Sequence, residues 1–303
     1  MADRRRTPVL LLRVDAPRAT WLAHRREGIG GSDALAVLGL HESVSAYEVW
    51  ADKLNLLPGK KETMPMTIGK LLEPVLARYF TTTTGVTVRR AGMYAHAEHR
   101  WMRYNPDRLT GDGGLLEIKT TSALHAEDWA EGRIPAAAEA QTRHGMAVLN
   151  RGHAWILALI GGQRPVLRRI DRDPVLEANM IAVERSFWHE HVLARCPPHP
   201  DGSRSCTRTL TELYRNAEPG TSAQLDENDL SVLEELASLK RRAKHTQKSI
   251  TELENWLKHR LGYAETGTLR GKPLVHWRQH HRAGYQVPAA TYRKLHILWK
   301  EPE

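Results

Sequence analysis

The sequence predicts an α/β fold: a mixed central sheet flanked by helices, extended at its C-terminal end by a helical arm and a small β element. Three observations lead there. Strand-like runs cluster between Val86 and Thr121 and again between His153 and Ile170; amphipathic helical patterns flank and separate them; and a breaker-rich stretch at Pro197, Pro198, Pro200 and Gly202 precedes a long apolar stripe. The chain accordingly divides into a basic tail over 1–17, a main domain over 18–195, a linker over 196–224 and a helical arm with a β-hairpin over 225–303.

The elements follow in order. Arg4, Arg5 and Arg6 mark the tail as basic and frayed. A helical pattern from Arg18 to about Arg26 is broken by Gly28, Gly30 and Gly31. Ser32 then stands as the N-cap of a helix reaching Leu38, whose free N–H groups make an anion site with Arg26 just ahead. Ser45 opens a second helix to about Leu54 with Glu48 as its capping-box partner, and Tyr47, Trp50 and Leu54 share a buried face. A third helix over about Thr67 to Thr81 has Ile68, Leu71, Leu72, Val75, Leu76 and Tyr79 on its apolar side, with Glu73 among them.

Val86–Arg89, Gly92–His96 and Trp101–Tyr104 read as short strands leading into a hairpin. Helices over about Ala123–Glu131 and Pro135–Leu149 follow, then two strands about the Gly161-Gly162 turn and a long helix from Asp173 to about Ala194. Past the linker, Leu225 to Leu261 carries Leu230, Leu233, Leu236, Ile250, Leu253 and Leu257 on a stripe, as a helical arm or short coiled coil does. Its basic cluster includes Lys240, Arg241 and Arg242, candidate contacts to a phosphate backbone. A β-hairpin across Arg270-Gly271 closes the pattern.

The chemistry concentrates in Asn105 to Thr121. A Gly-rich turn through Gly111 to Gly114 joins two strands, and in the second of them Glu117 and Lys119 point the same way about 7 Å apart, with Ile118 on the other face. The hairpin brings Asp107 beside Glu117. Two adjacent carboxylates repel unless a proton or cation lies between them, and hard oxygen ligands suit Mg²⁺ or Mn²⁺. Lys119 is then placed to activate a metal-bound water and to stabilise charge on a phosphate under attack. Taken alone, an E-x-K on a strand is common as a surface ion pair, and an Asp after Pro is commonly a turn residue. Asp112, between glycines, reads as a turn residue. The hydroxyls of Thr120 and Thr121 are candidate phosphate contacts.

Composition narrows the class. The 303 residues carry a formal net charge of +9, with an isoelectric point near 9.7, which points to a polyanionic partner, nucleic acid before an anionic membrane. No apolar run reaches the ~18 residues of a spanning helix, so no membrane partner is expected. Two cysteines exclude a disulfide framework and a four-cysteine iron–sulfur site and suit a reducing cytoplasm. His191, Cys196, His199 and Cys206 do not have the spacing of a zinc site.

The segment from Asp107 to Lys119 resembles the PD-(D/E)XK nuclease signature, and its surroundings resemble the YqaJ-type viral recombinases, relatives of phage lambda exonuclease. The resemblance is carried by GIGGSDALAVLGL from Gly28, SAYEVW from Ser45, GKLLEP from Gly69, Trp101–Asp107, Leu115–Thr121, Gln141–Met146, WILALIGGQ from Trp155, and Arg172-Asp173 followed by Phe187-Trp188. It implies a restriction-endonuclease-like core and a metal-dependent DNA exonuclease, 5′ to 3′ on double-stranded ends, acting in phage-type recombination. A structure- or sequence-specific endonuclease and a non-catalytic recombination scaffold are the alternatives. It further implies metal held by Asp107, Glu117 and the Ile118 carbonyl, Lys119 as the residue that activates water, assistance from Gln141 and Glu73, 5′-phosphate binding by Arg26 and Ser32, and a weaker phosphate contact at His125. A homo-oligomeric ring and a single-strand annealing partner are implied in the same way. One departure stands out: the family often has Tyr four residues after the motif Gln, and here that position is Gly145.

Overall fold

The computed structural model describes residues 7–59, 61–282, 284, 289 and 292–295. Arg4, Arg5 and Arg6 lie outside the described residues. The chain forms two compact units, Met1–Tyr214 and Arg215–Glu303.

In the first unit a five-stranded sheet is built from β3 (Val88–Arg89), β6 (Arg108–Thr110), β7 (Leu115–Thr121), β8 (His153–Ile160) and β9 (Arg164–Asp171), in that spatial order. The β7–β8 pair is parallel and the others antiparallel, so the sheet is mixed, as expected. β7 and β8 occupy the middle and are covered on both faces, which is why LLEI and AWILALI read as near-continuous apolar runs. Gly161 and Gly162 turn β8 into β9 at φ +59° and +74°, values glycine adopts without steric cost.

Helix α5 (Ala136–Leu149) covers one face, with Ala138, Met146 and Val148 packed among Leu115, Ile156 and Ala158. Helix α4 (Met64–Thr84) covers the other through Leu72, Leu76 and Phe80 against Leu116 and Leu157. Only part of its expected apolar side is used. Ile68, Leu71, Val75 and Tyr79 are 42–69% exposed, because the helix meets the sheet along the single line of Leu72, Leu76 and Phe80.

A second sheet has the order β1 (Val9–Leu12), β4 (Met93–Ala95), β5 (Met102–Tyr104), β2 (Ile29–Gly30). The tail expected over 1–17 is therefore partly strand: Val9 pairs with Ala95 and Leu10 with Tyr94. Around this sheet lie α1 (Arg18–Arg26), α2 (Gly31–Val37) and α3 (Ala46–Lys53), the last capped by Ser45, whose Oγ accepts from the Glu48 N–H at 3.1 Å. Helix α6 (Pro174–Ser186), capped by Asp173, continues into a wider π-helical turn, Phe187–Leu193.

Two further expectations are corrected. The stretch expected as linker holds α7 (Arg204–Leu213), whose buried Cys206 joins Tyr47, Trp50 and Phe187 in one apolar cluster, and the Ser205 hydroxyl accepts from the Ser45 N–H at 3.0 Å. The breaker residues only end the preceding helix. In place of a helix over 123–131 stand two 3-10 turns, Ala123–His125 and Glu127–Gly132, because Ala130 is extended and Glu131 takes φ +52°.

The second unit contains α8 (Glu227–Leu261), capped by Asp226, and the hairpin β10 (Thr266–Leu269)–β11 (Lys272–His276). Both follow the sequence expectation to within two residues.

One buried ion pair ties the layers of the first unit. His144 on α5 lies with Nδ1 2.9 and 3.0 Å from the two carboxylate oxygens of Glu184 on α6, and its Nε2 is 3.1 Å from the Arg103 carbonyl. Neither side chain is exposed. Burial opposes charge on the imidazole, but the Glu184 carboxylate and the carbonyl outweigh it and raise the His144 pKa. A raised folded value means that the pair's stabilisation is complete below the unfolded value of ~6.5 and is lost as pH climbs through the folded value. Glu184→Gln should destabilise the fold by about 3–5 kcal/mol near neutral pH, the usual effect of breaking a buried pair. The gap to wild type should narrow as pH rises. Denaturant titrations from about pH 6 to about pH 9 check this; a gap independent of pH would show that the imidazole is not charged.

Candidate active site

β7 alternates between two environments. Leu116 and Ile118 face α4, whereas Leu115, Glu117 and Lys119 face α5. β6 pairs with β7 so that Arg108 lies opposite Leu116, which sets Asp107, at the end of the β5–β6 connection, next to Glu117. The Asp107 Oδ2 accepts from the Ile118 N–H at 2.7 Å, fixing one carboxylate to the strand that carries the other.

Glu117 is 2% exposed and receives three donors. The Tyr104 hydroxyl donates to Oε2, Gln141 Nε2 donates to Oε1 at 2.5 Å, and Lys119 Nζ lies 2.8 Å from Oε1. Gln141, on α5, also accepts from Lys119 Nζ at 2.7 Å, so its amide spans the carboxylate and the amine. The expected group of Asp107, Glu117, Lys119 and Gln141 is thus brought together.

The electrostatics of this group bear on a cation. Burial first, and then the adjacent charge of Glu117, push the Asp107 carboxyl well above the usual range. Such a pair relieves its repulsion by holding a proton or by binding a metal ion. The donor set, two carboxylates beside the strand backbone, fits a small hard dication. Among the described residues no three His, Cys, Asp or Glu side chains converge, so oxygen ligands beyond these two would come from backbone or water. Lys119 loses hydration on burial, which opposes its charge, but Glu117 and Asp107 outweigh this and raise its pKa, keeping it an ammonium. Tyr104 stays a phenol, its pKa raised by burial and by the same two carboxylates.

Glu73, expected to assist the site, lies close enough for its charge to act on Asp107 and is engaged by an arginine. It reaches the edge of the site from α4, but its Oε1 accepts from the Arg108 guanidinium, which also donates to the Asp107 carbonyl at 2.5 Å. It is a latch on the Asp107 turn in this arrangement, with Arg108 as its partner.

Ser32, expected at a phosphate site, has a neighbouring arginine. Arg25, not Arg26, meets Ser32: its Nη2 donates to Ser32 Oγ at 3.3 Å and to Asp33 Oδ1 at 3.1 Å. One step along a helix turns a side chain by ~100°, so only one of two neighbouring arginines can face a given point. Ser32 is not the N-cap either. Gly30 holds that place, its N–H donating at 3.0 Å to Asp33 Oδ2, and Ser32 stands exposed in the first turn. Lys53 Nζ, fully buried, lies 2.5 Å from Asp33 Oδ2. Burial disfavours the Asp33 carboxylate, but Lys53 and Arg25 overcome that and bring its pKa down to about 2. This cluster adjoins the carboxylate site, since a Cβ on Gly31 would stand 2.9 Å from the Tyr104 ring and 3.0 Å from Gln141.

The remaining expectations divide. Thr121 shares the face of Lys119, while Thr120 lies towards α4, where a Cβ on Gly69 would be 3.3 Å from its hydroxyl. His125 is exposed and paired with Asp128 at 3.1 Å. Asp112 is a turn residue with added partners: it accepts from Thr110, Trp155 and the Gly114 N–H, and these hold its pKa down against its partial burial. Lys240, Arg241 and Arg242 are exposed on α8, in the second unit.

Tyr104, Arg108, Arg25 and the Asp33–Lys53 pair were not anticipated. A signal existed for one. Gly145 lies one helical turn from Gln141 and leaves a gap on the face that looks into the site, and a Cβ there would stand 2.4 Å from the Tyr104 ring. The absent helix side chain pointed to a ring arriving from another element.

Comparison with known proteins agrees with this architecture. The model of the YqaJ-like viral recombinase domain matches residues 20–152. The uncharacterized protein YqaJ of Bacillus subtilis (strain 168) is 32% identical over 281 residues, covering 89% of this chain and 88% of its own. The crystal structure of an alkaline exonuclease, LHK-Exo, from Laribacter hongkongensis superposes with a TM-score of 0.50 at 22% identity, over 59% of this chain and 94% of that one. LHK-Exo in complex with dAMP gives 0.50 at 23% identity with the same coverage. These two likenesses concern the fold.

Proposed function

The chain belongs to the YqaJ-like viral recombinase family, and from that membership we propose that it is a divalent-metal-dependent deoxyribonuclease of recombination, an exonuclease that degrades double-stranded DNA from its ends, 5′ to 3′. The observation that carries the reading is the buried Asp107–Glu117 pair with Lys119 and Gln141 bridged across it. In this reading Asp107, Glu117 and the Ile118 carbonyl hold Mg²⁺ or Mn²⁺. The bound ion supplies Lewis acidity towards the phosphate and a more acidic water. Lys119, held as an ammonium, positions the attacking water and stabilises charge on the phosphate rather than removing a proton itself. Gln141 keeps the Lys119 amine and the Glu117 carboxylate in mutual register, Tyr104 fixes the second Glu117 oxygen, and Glu73 with Arg108 steadies the turn that carries Asp107.

Arg25 and Ser32 receive the 5′-phosphate in this reading, Arg25 replacing Arg26 in the role. Thr121 contacts the phosphate backbone beside Lys119, with Thr120, His125 and the basic segment at Lys240 as outlying contacts. A ring of copies around DNA and an annealing partner complete the proposal, at work in the cytoplasm of a bacterial or phage-infected cell.

One experiment tests the reading and its end-binding part together. Linear duplex with and without a 5′-phosphate, and closed circular DNA, are incubated with Mg²⁺ or EDTA. Metal-dependent loss of linear DNA alone, faster with the phosphate, is the expected result. Cutting of the circle would replace the exonuclease with an endonuclease at the same site. Arg25→Ala should remove most of the phosphate preference, about tenfold or more for a lost charge-assisted contact worth ~1.5–3 kcal/mol. Arg26→Ala should keep it; the reverse order would restore the assignment made from sequence.

A further inference from the structure

Helix α8 runs 35 residues, about 52 Å at 1.5 Å per residue, and not one of its side chains is buried. Most helical stability in proteins comes from packing an amphipathic face. The sequence of α8 contains such a face in a stricter form than a general apolar stripe. Leu236, Ala243, Ile250 and Leu257 repeat every seven residues, and Val232, Leu239, Thr246 and Leu253 repeat every seven residues in the alternate places. Spacings of three and four alternate without a break from 232 to 257. That is the a/d pattern of a left-handed coiled coil, with the leucine-type series at a and the series beginning with Val232 at d. Yet Val232 is 62% exposed, Leu239 46%, Ile250 43%, Leu253 67% and Leu257 41%.

We propose that this seam is covered by a second copy of the same chain, in a parallel, in-register coiled coil formed by α8. The charges beside the seam support that occupant. In register, Glu235 of one copy stands beside Lys240 of the other at the g and e positions, twice per dimer by symmetry. The other facing pairs are Asn228 with Leu233, Arg242 with Gln247, Ser249 with Glu254, and Trp256 with Leu261. None of them sets like charges together. The extent is also sufficient: eight seam residues at ~60–120 Å² each cover roughly 500–1,000 Å² per helix, near the ~800 Å² per partner of stable interfaces. Ala243 and Thr246 make the middle layers thin, so Ile250, Leu253 and Leu257 supply the larger part of the burial. Pairing also doubles the basic flank formed by Lys240 and Arg242 along one rod.

The test uses the full chain with Cys196→Ser, leaving the buried Cys206. Leu253→Cys places a thiol in the seam, and Lys248→Cys places one on the opposite face. Under mild oxidation Leu253→Cys should give on the order of tenfold more interchain disulfide than Lys248→Cys, since only seam positions bring two Cβ atoms within reach. Adding Ile250→Asp to the Leu253→Cys chain should abolish the cross-link while the circular dichroism and melting of the first unit are kept. Equal cross-linking at both positions, or none at Leu253→Cys in folded protein, would overturn the proposal, including the case in which the nuclease units associate through another surface.

Discussion

Glu117→Gln should abolish DNA hydrolysis, lowering turnover by about 10³-fold or more, the several kcal/mol that a metal-held phosphate and water would contribute. The substitution keeps the volume of the side chain and an oxygen for the Tyr104 hydroxyl or the Gln141 amide, but it removes the charge that the proposed ligand role requires. Withdrawal of the divalent ion by EDTA should reproduce the loss in wild type, and the two effects should not add. Folding should not suffer, because Glu117 is almost wholly buried next to Asp107 and the variant relieves that repulsion. A melting temperature at or above that of wild type, together with metal affinity measured by calorimetry and lowered at least tenfold, would separate a lost site from a lost fold. Turnover within tenfold of wild type would remove Glu117 from the metal site.

Lys119→Ala comes second, with turnover reduced by about 10²–10³-fold, the range for removal of one preorganised donor to a developing negative charge. Metal affinity should hold or rise, since the variant takes a cation away from the carboxylates, and binding of linear duplex should change little. That combination distinguishes Lys119 from Glu117, which loses metal. Lys119→Arg should recover little, because the planar guanidinium cannot take the place of a compact ammonium between Glu117 and Gln141. Full activity of the alanine variant would reject the role given to the amine.

The legibility of the molecule in its sequence followed the range of its interactions. The pairing of Glu117 with Lys119, the approach of Asp107, the Ser45 cap, the α8 span and the β10–β11 hairpin depend on alternation, turns or helical period, and each was read correctly. β1 was missed because a short strand at an edge owes its existence to a partner more than eighty residues away. α7 was missed for a similar reason: prolines announced a break, but nothing local announced that Cys206 and Ser205 find partners on α3. The exposed side of α4 shows the limit of periodicity, which marks an apolar face without saying how much of it a neighbour covers. At the site, which of Arg25 and Arg26 faces Ser32 is decided by helix orientation, which the order of residues alone does not carry.

The Tyr104 ring and the vacant Cβ of Gly145 have a consequence for descent. With 2.4 Å between the ring and any side chain begun at 145, the backbone admits one occupant of that space, from the strand or from the helix. A lineage that moves its tyrosine from one element to the other must pass through a form with neither or with a clash, and both weaken the hold on Glu117. Substitutions at 104 and 145 should therefore be found paired among relatives rather than scattered independently, which an alignment of relatives would check.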